Sequence, residues 1–342
     1  MKKQGKIIFA KLLLLLPMVI LLSFFIGCNK SSTSSTTTNP VTPSTPISTA
    51  EVLEFVNITN PTGGSPLKSV LFIPSSPSSV PAVVVMHGSG GLWSNTDVNK
   101  MASQFNSWLD TFRLHKIAAL FIDSYTARNV ITFHDIAPPD NIFLAAEFVR
   151  PRDAYEGLNY LRTINRIKTD KIALMGFSHG GTTVLSTIVD AAAVAKTTAW
   201  SLISNNITYT TGVLLPATKP NAGGFVAAVS FYPGAAMFSY YGKPGTPSNG
   251  KYINYAPLLI HAAGNDPLYT TTYTNSDNNS LINAYDGLIL KAQLNTASAP
   301  ITKYVYTGAS HSFDGITTAG ADADASKLSR TRSIDFLKLY LF

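Results

Sequence analysis

The sequence predicts an α/β fold in which a mostly parallel, doubly wound sheet has helices on both of its faces. Short apolar runs, rich in β-branched residues and bounded by turns, recur along the chain. Such runs are typical of strands that are buried on both faces of a parallel sheet. Stretches with helical periodicity lie between several of these runs, and this alternation favours the doubly wound arrangement. The roughly 290 residues after position 50 are enough for one large domain.

Eight runs are the predicted strands. The first two, at 51–58 and 68–73, are extended, and the first of them is partly alternating. The other six are apolar runs of the buried type, at 81–88, 117–124, 171–178, 225–234, 256–264 and 301–309. Amphipathic helices are predicted at 99–116, 152–164 and 325–342.

The first 27 residues have the layout of a secretory signal. Four lysines accompany an apolar stretch at 12–26, which is shorter than the about 20 residues that a membrane-spanning helix needs. The stretch is followed by Gly27 and Cys28, the only cysteine of the chain. This segment resembles a bacterial lipoprotein signal, whose cysteine becomes lipidated, although Phe25 stands where such signals usually have leucine. An uncleaved anchor, or an ordinary signal with an unrelated cysteine, is the alternative.

This resemblance implies an exported lipoprotein, held in a membrane through Cys28 at the periplasmic face or the cell surface. Residues 29–50 are rich in Ser, Thr and Pro and contain no aromatic residue, so they predict a flexible tether. The predicted organisation is therefore a signal peptide at 1–27, a lipidated cysteine with its tether at 28–50, and an α/β domain at 51–342.

Charge and cysteine content argue against several classes of partner. The formal net charge is +7, but four of the positive charges are lysines before Cys28, so the remainder of the chain has +3. No Lys/Arg cluster suited to a nucleic-acid backbone is present in the sequence. A single cysteine cannot form an intrachain disulfide, and the scattered histidines do not have metal-ligand spacing. We therefore expect no metal, no cofactor and no nucleic-acid partner, and the sequence does not predict an oligomeric state.

Polar residues follow four of the predicted strands, at the sheet edge where ligands bind in this class of fold. Residues 87–91 (HGSGG) follow one strand, and their glycines would let backbone N–H groups face an anion. Ser178 ends another strand within a G-x-S-x-G motif, which is typical of a sharp turn into a helix. Asp266 and His311 follow the last two strands. The chain order is therefore serine, aspartate, histidine.

These residues predict a Ser-His-Asp triad. A serine hydroxyl is a poor nucleophile until an imidazole accepts its proton, and the imidazole needs a carboxylate to orient it. We expect Ser178 to be the nucleophile, His311 the base and Asp266 the acid. The backbone N–H groups of Ser89 and His179 are the predicted oxyanion hole.

Each assignment has an alternative. Ser178 could instead be a capping serine in a packed strand–helix turn, and His311 a loop histidine bonded to backbone. Asp277 and Asp286 are rival acids further along the same connection. Asp314 is expected to cap the segment after the His311 loop.

Further motifs resemble the dienelactone hydrolase family of the α/β-hydrolase superfamily. Residues 121–129 (FIDSYTARN) are similar to that family's Asp-Ser-aromatic stretch ending in arginine. Residues 150–161 (RPRDAYEGLNYL) resemble its Arg/Asp helix, and 306–314 (YTGASHSFD) its aromatic-Gly-His-aromatic signature. The resemblance extends over about residues 65–342. It implies an α/β-hydrolase fold and a cofactor-free hydrolase of small carboxylic esters or lactones that forms an acyl-enzyme.

The sequence also departs from that family. Founding members have a cysteine nucleophile, so Ser178 implies a serine-nucleophile member. They have His-Glu at 87–88, where this chain has His-Gly, so glutamate-gated activation is not expected. Asp266 follows its glycine by two positions, where three is more usual. Residues 193–224 exceed the family core and are a candidate cap over the pocket. A surface binding protein on a hydrolase scaffold, or a serine peptidase or acyltransferase of the same fold, is the alternative function.

Overall fold

The computed structural model describes residues 49–94, 97–132, 146–192, 201–204, 207–210, 217–234, 252–274, 280–315 and 319–342. The predicted signal peptide, Cys28 and all but the last two residues of the tether lie outside these ranges, so lipidation and export stay predictions. Within the ranges, every helix is too short or too polar to cross a bilayer.

The core of the protein is a sheet that contains eight strands within the described residues, in the order β1-β2-β6-β3-β7-β10-β11-β14. The strand β1 pairs antiparallel with β2, and β2 pairs antiparallel with β6. All other neighbours pair in parallel. These strands are β1 (Val52–Ile58), β2 (Leu67–Ile73), β3 (Val80–Met86), β6 (Ala118–Ile122), β7 (Ile167–Phe177), β10 (Ala228–Phe231), β11 (Leu258–Ala263) and β14 (Ile301–Tyr306).

Helices cover both faces of this sheet. One buried cluster includes side chains of α2, α3 and α5, and a second cluster, on the other face, includes side chains of α1 and α6. The predicted doubly wound α/β sheet is therefore confirmed. The helices are α1 (Ser103–Leu114), α2 (Arg150–Arg162), α3 (His179–Thr187), α4 (Pro267–Thr270), α5 (Ala284–Gln293) and α6 (Ala321–Leu341).

Three small antiparallel pairs lie outside the main sheet. They are β4 (Trp93–Ser94) with β5 (Asp97–Met101), β8 (Ser201–Ser204) with β9 (Ile207–Thr210), and β12 (Thr272–Thr274) with β13 (Leu281–Asn283). The second pair falls within 193–224, the candidate cap. Much of that segment lies outside the described residues, so its role as a cap stays a prediction.

Candidate active site

Ser178 lies in a strained turn between β7 and α3. Its backbone has φ +51° and ψ −111°, in a region that residues other than glycine rarely adopt. Its N–H donates to the carbonyl of Phe231 at 2.9 Å, and its own carbonyl accepts from the N–H of Thr182 at 2.9 Å. These bonds to a neighbouring strand and to the following helix hold the turn in place.

Two glycines make this turn possible. A Cβ atom at Gly176 would lie 2.2 Å from the carbonyl oxygen of Gly180, and a Cβ at Gly180 would lie 2.2 Å from the carbonyl oxygen of Met86. The ends of β7 and β3 therefore approach the start of α3 at backbone contact. This packing holds the Ser178 turn beside the loop that follows β3.

The structure brings Ser178, His311 and Asp266 into one line of hydrogen bonds. The Nε2 atom of His311 lies 2.8 Å from Oγ of Ser178, and its Nδ1 lies 2.6 Å from Oδ2 of Asp266. The carboxylate of Asp266 is almost fully buried, and its Oδ1 accepts from the N–H of Leu268 at 2.9 Å. Because an ionised carboxylate can only accept, Nδ1 of His311 carries the proton. Its Nε2 is then the acceptor for the serine hydroxyl.

Of the two rival acids, Asp286 does not occupy this position. Asp286 accepts from its own capping residue, Asn283, and forms an ion pair with Lys303, so it is part of the start of α5. Asp277 lies outside the described residues. Among the described residues, Asp266 is the carboxylate bonded to His311.

His87 anchors the glycine loop after β3. Its Nε2 accepts from the N–H of Ser124 at 3.2 Å, so its Nδ1 is protonated and donates to the carbonyl of Gly88 at 2.7 Å. Complete burial lowers the pKa of His87 well below its ordinary value and keeps the ring neutral. The same carbonyl of Gly88 accepts from the N–H of Gly91, which closes a tight turn around Ser89.

The predicted oxyanion donors lie on the two segments that this packing joins. Ser89 lines the same cavity as Ser178 and His311, and its carbonyl accepts from the hydroxyl of Thr132 at 3.1 Å. His179 is the first residue of α3, and its Nδ1 contacts the hydroxyl of Tyr125 at 2.8 Å. Their service as backbone donors to an oxyanion stays a prediction.

The cavity in front of Ser178 has a volume of about 720 Å³. Its described lining contains serines, glycines and aromatic rings, and it includes no Lys, Arg, Asp or Glu. The lining residues are Gly88, Ser89, Gly90, Gly91, Trp93, Ser94, Ala102, Ser103, Gln104, Phe105, Phe177, Ser178, Tyr232, Leu268, His311 and Ser312.

Arg128, in the stretch that resembles the dienelactone hydrolases, binds protein side chains outside the cavity. Its guanidinium binds both oxygens of Asp153, at 2.8 and 2.9 Å, and the side-chain oxygen of Asn60 at 3.0 Å. Asp123, from the same stretch, accepts from Trp93 Nε1 at 2.7 Å. Both side chains therefore stabilise loops, and neither is among the residues that line the cavity.

Asp314 was expected to cap the segment after the His311 loop, and this expectation is wrong. The residue is buried, and its carboxylate accepts from Gln104 Nε2 at 2.9 Å, from Trp108 Nε1 at 3.0 Å and from the hydroxyl of Tyr232. Burial raises its pKa above the ordinary value. The ring of Tyr232 lies 4.9 Å from the ring of His311, centroid to centroid. Asp314 thus holds the Tyr232 ring in place against the His311 ring.

No known protein-family model matches the chain, and no curated protein sequence is significantly similar to it. Solved structures are similar in fold. A dienelactone hydrolase-like promiscuous phosphotriesterase from metagenomic libraries superposes with a TM-score of 0.53 at 15% identity, covering 85% of this chain and 99% of that one. A Klebsiella pneumoniae protein assigned as a dienelactone hydrolase has a TM-score of 0.52 at 14% identity, with coverages of 85% and 100%. A thermophilic carboxylesterase from a metagenomic library has a TM-score of 0.51 at 14% identity, covering 85% of this chain and 90% of that one.

These similarities agree with the mostly parallel sheet and the helices on its two faces described above. Structural similarity at such low sequence identity establishes the fold and not the activity. The chain has an α/β-hydrolase fold.

Proposed function

We propose that this chain is a serine hydrolase that cleaves carboxylic esters or lactones through an acyl-enzyme. The observation that supports the proposal is the continuous contact from Ser178 Oγ through the His311 ring to the buried Asp266 carboxylate. This constellation performs acyl transfer on several unrelated folds, because it is defined by geometry and not by sequence position. Solved structures of the same fold include a carboxylesterase, which agrees with the proposal.

In the first step Ser178 Oγ attacks the carbonyl carbon of the substrate, and its proton moves to Nε2 of His311. Asp266 stabilises the imidazolium through Nδ1–H and does not itself take the proton. The carbonyl oxygen becomes an oxyanion, which the N–H groups of Ser89 and His179 would stabilise. Loss of one such donor typically costs about 2.7–4 kcal/mol of transition-state stabilisation.

The tetrahedral intermediate then collapses, and the proton on His311 passes to the leaving alkoxide, which departs as an alcohol. In a lactone this alcohol stays attached to the acyl group. The His311 side chain is 34% exposed, so water can reach Nε2 for the second half of the reaction. His311 removes a proton from that water, and the hydroxide attacks the carbonyl carbon of the acyl-enzyme. Ser178 Oγ then takes the proton from His311 as the carboxylic acid product leaves.

A fluorophosphonate probe is expected to label the folded chain at Ser178, because the activated serine attacks an electrophilic phosphorus as it attacks a carbonyl. Short p-nitrophenyl esters are expected to react faster than the matching p-nitroanilides. Peptide mapping of the labelled protein locates the modified residue, with heat-denatured protein as the control. A folded chain that is not labelled would favour the binding-protein alternative, and anilides cleaved as fast as esters would favour a peptidase.

The cavity is expected to prefer acyl groups without a carboxylate. Its described lining offers no cation, since Arg128 is bound to Asp153, and an unpaired carboxylate pays a desolvation penalty. We expect kcat/KM for p-nitrophenyl hemisuccinate to be at least about tenfold lower than for p-nitrophenyl 4-methylpentanoate, an uncharged ester of nearly the same shape, which corresponds to about 1.4 kcal/mol. Initial rates on the two esters, with their spontaneous hydrolysis subtracted, measure the ratio. Equal values would mean that a cation faces the acyl group.

A further inference from the structure

Arg150 is a buried arginine at the first position of α2, beside the candidate oxyanion hole. Its side chain has no solvent exposure. One terminal nitrogen donates to the carbonyl of His87 at 2.7 Å, and the other donates to Nδ1 of His179 at 2.9 Å. Its guanidinium carbon lies 5.2 Å from the centre of the Tyr125 ring.

Among the described residues, no carboxylate forms an ion pair with this guanidinium. The nearest acid on its own helix, Asp153, is bound by both terminal nitrogens of Arg128. Tyr125 is neutral, because burial raises the pKa of its hydroxyl to about 12. The buried Nε of Arg150 has no hydrogen-bond partner.

Three physical effects therefore disfavour a cation at this position. Burial without a bonded counterion carries a large desolvation penalty, which lowers the pKa of Arg150 although Asp153 and Asp123 attract its charge. The first turn of a helix is the positive end of its dipole and repels a positive charge. One polar nitrogen is left unsatisfied. These three costs oppose the two hydrogen bonds that Arg150 makes, so its contribution to stability alone does not account for a charge at this position.

The two groups that Arg150 binds belong to the two segments of the candidate oxyanion hole. His87 immediately precedes Gly88 and Ser89, so its carbonyl fixes the start of the glycine loop. His179 directly follows Ser178, and its backbone N–H is the second predicted donor. Arg150 thus links the loop after β3 to the start of α3 through side-chain bonds, at the place where Gly180 already packs on Met86.

We propose that Arg150 is a positioning residue of the oxyanion hole, and that its charge, which no ion pair neutralises among the described residues, favours the anion that forms there. The inference rests on the proposed function. A fixed charge in a poorly solvated site acts more strongly on the transition state, where negative charge develops, than on the neutral ester. The free enzyme bears the unfavourable charge, and the oxyanion would partly neutralise it.

The test compares Arg150→Met, which removes the charge, with Arg150→Lys, which keeps a cation but cannot donate along both directions of the guanidinium fork. For Arg150→Met we expect kcat to fall on the order of 10–100-fold while KM changes less than about threefold. A trifluoromethyl ketone, which forms a tetrahedral oxyanion adduct with the serine, should lose affinity by the same factor as kcat/KM. Arg150→Lys should lie between Arg150→Met and the wild type in both measurements.

A merely structural role for Arg150 would change melting temperature and KM and leave the affinity for the ketone unchanged, and this result would overturn the inference. If Arg150→Met does not fold, Arg150→Lys decides alone: a parallel loss in kcat and in ketone affinity supports the inference, and unchanged ketone affinity overturns it. Failure of the proposed function is distinguishable, because the wild-type protein would then neither hydrolyse the esters nor bind the ketone.

Discussion

Replacement of Ser178 with alanine is expected to abolish ester turnover and to leave the fold intact, with kcat lower by at least on the order of 10⁴-fold. Without the hydroxyl, no acyl-enzyme can form, and the His311 ring has no proton to accept from the protein at that position. What remains is the contribution of the oxyanion donors and of substrate binding. Initial rates on p-nitrophenyl butyrate measure the loss.

The fold should tolerate this change because the serine hydroxyl makes one hydrogen bond among the described residues, to His311, and does not cap α3. Alanine has the same Cβ as serine, so the backbone strain at φ +51° is unchanged. The melting temperature should stay within a few degrees of the wild-type value. Ser107→Ala, in α1 and away from the cavity lining, is the matched control and should retain full activity. Undiminished turnover by Ser178→Ala would refute the assignment of the nucleophile.

Replacement of Asp266 with asparagine is expected to lower kcat by about 10³–10⁴-fold. The amide would present its NH₂ group or a weaker acceptor to Nδ1 of His311, so the ring would no longer be held with its proton on Nδ1. Nε2 would then carry the proton and could not accept one from Ser178. KM for p-nitrophenyl butyrate should change much less than kcat, because Asp266 lies behind His311 and does not line the cavity.

Asp314→Asn is the matched comparison, since both carboxylates are buried near His311 and only Asp266 bonds to its ring. We expect Asp314→Asn to lower kcat less than about tenfold and to reduce the free energy of unfolding by about 1–3 kcal/mol, because an amide there leaves one of three buried donors poorly matched. Kinetics and thermal melts on the two variants give the comparison. Equal losses in kcat would mean that Asp266 acts as structural support and not as the orienting acid.

The main sheet could be predicted from the sequence because most of its strands are continuous apolar runs. Each run has a single placement that buries both faces, and the turns at its ends are marked by glycine, asparagine or serine. The helix predicted at 99–116 is an example, since its apolar residues Phe105, Trp108, Leu109 and Phe112 are all buried. The start of that segment belongs to the short strand β5, so the helix begins at Ser103, four residues after the predicted start.

Two helices were predicted incompletely for local reasons. The final helix begins at Ala321, four residues before the predicted start, because Gly320 at φ +84° and the acidic residues of the first turn mark its true beginning. Helix α5 was not predicted, although Asn283 caps it by accepting from the N–H of Asp286. Its short length and central glycine weaken the periodic signal.

The polar contacts around the candidate site were the hardest features to predict from the sequence. Arg150 bonds to residues that are 29 and 63 positions away, and Asp314 bonds to Gln104 across 210 positions. No local pattern encodes such distant pairs, and charged residues are ordinarily assigned to the surface. The three residues of the predicted triad could be proposed because each follows a strand whose end the sheet places at the same rim. Their catalytic roles stay predictions.

The backbone contacts of Gly176 and Gly180 have a consequence for attempts to alter this protein by random mutagenesis. Any side chain at either position would push apart backbone segments that meet at Ser178, so even alanine would not fit there without a shift of the backbone. We therefore expect the folded, active members of a random library to retain glycine at both positions.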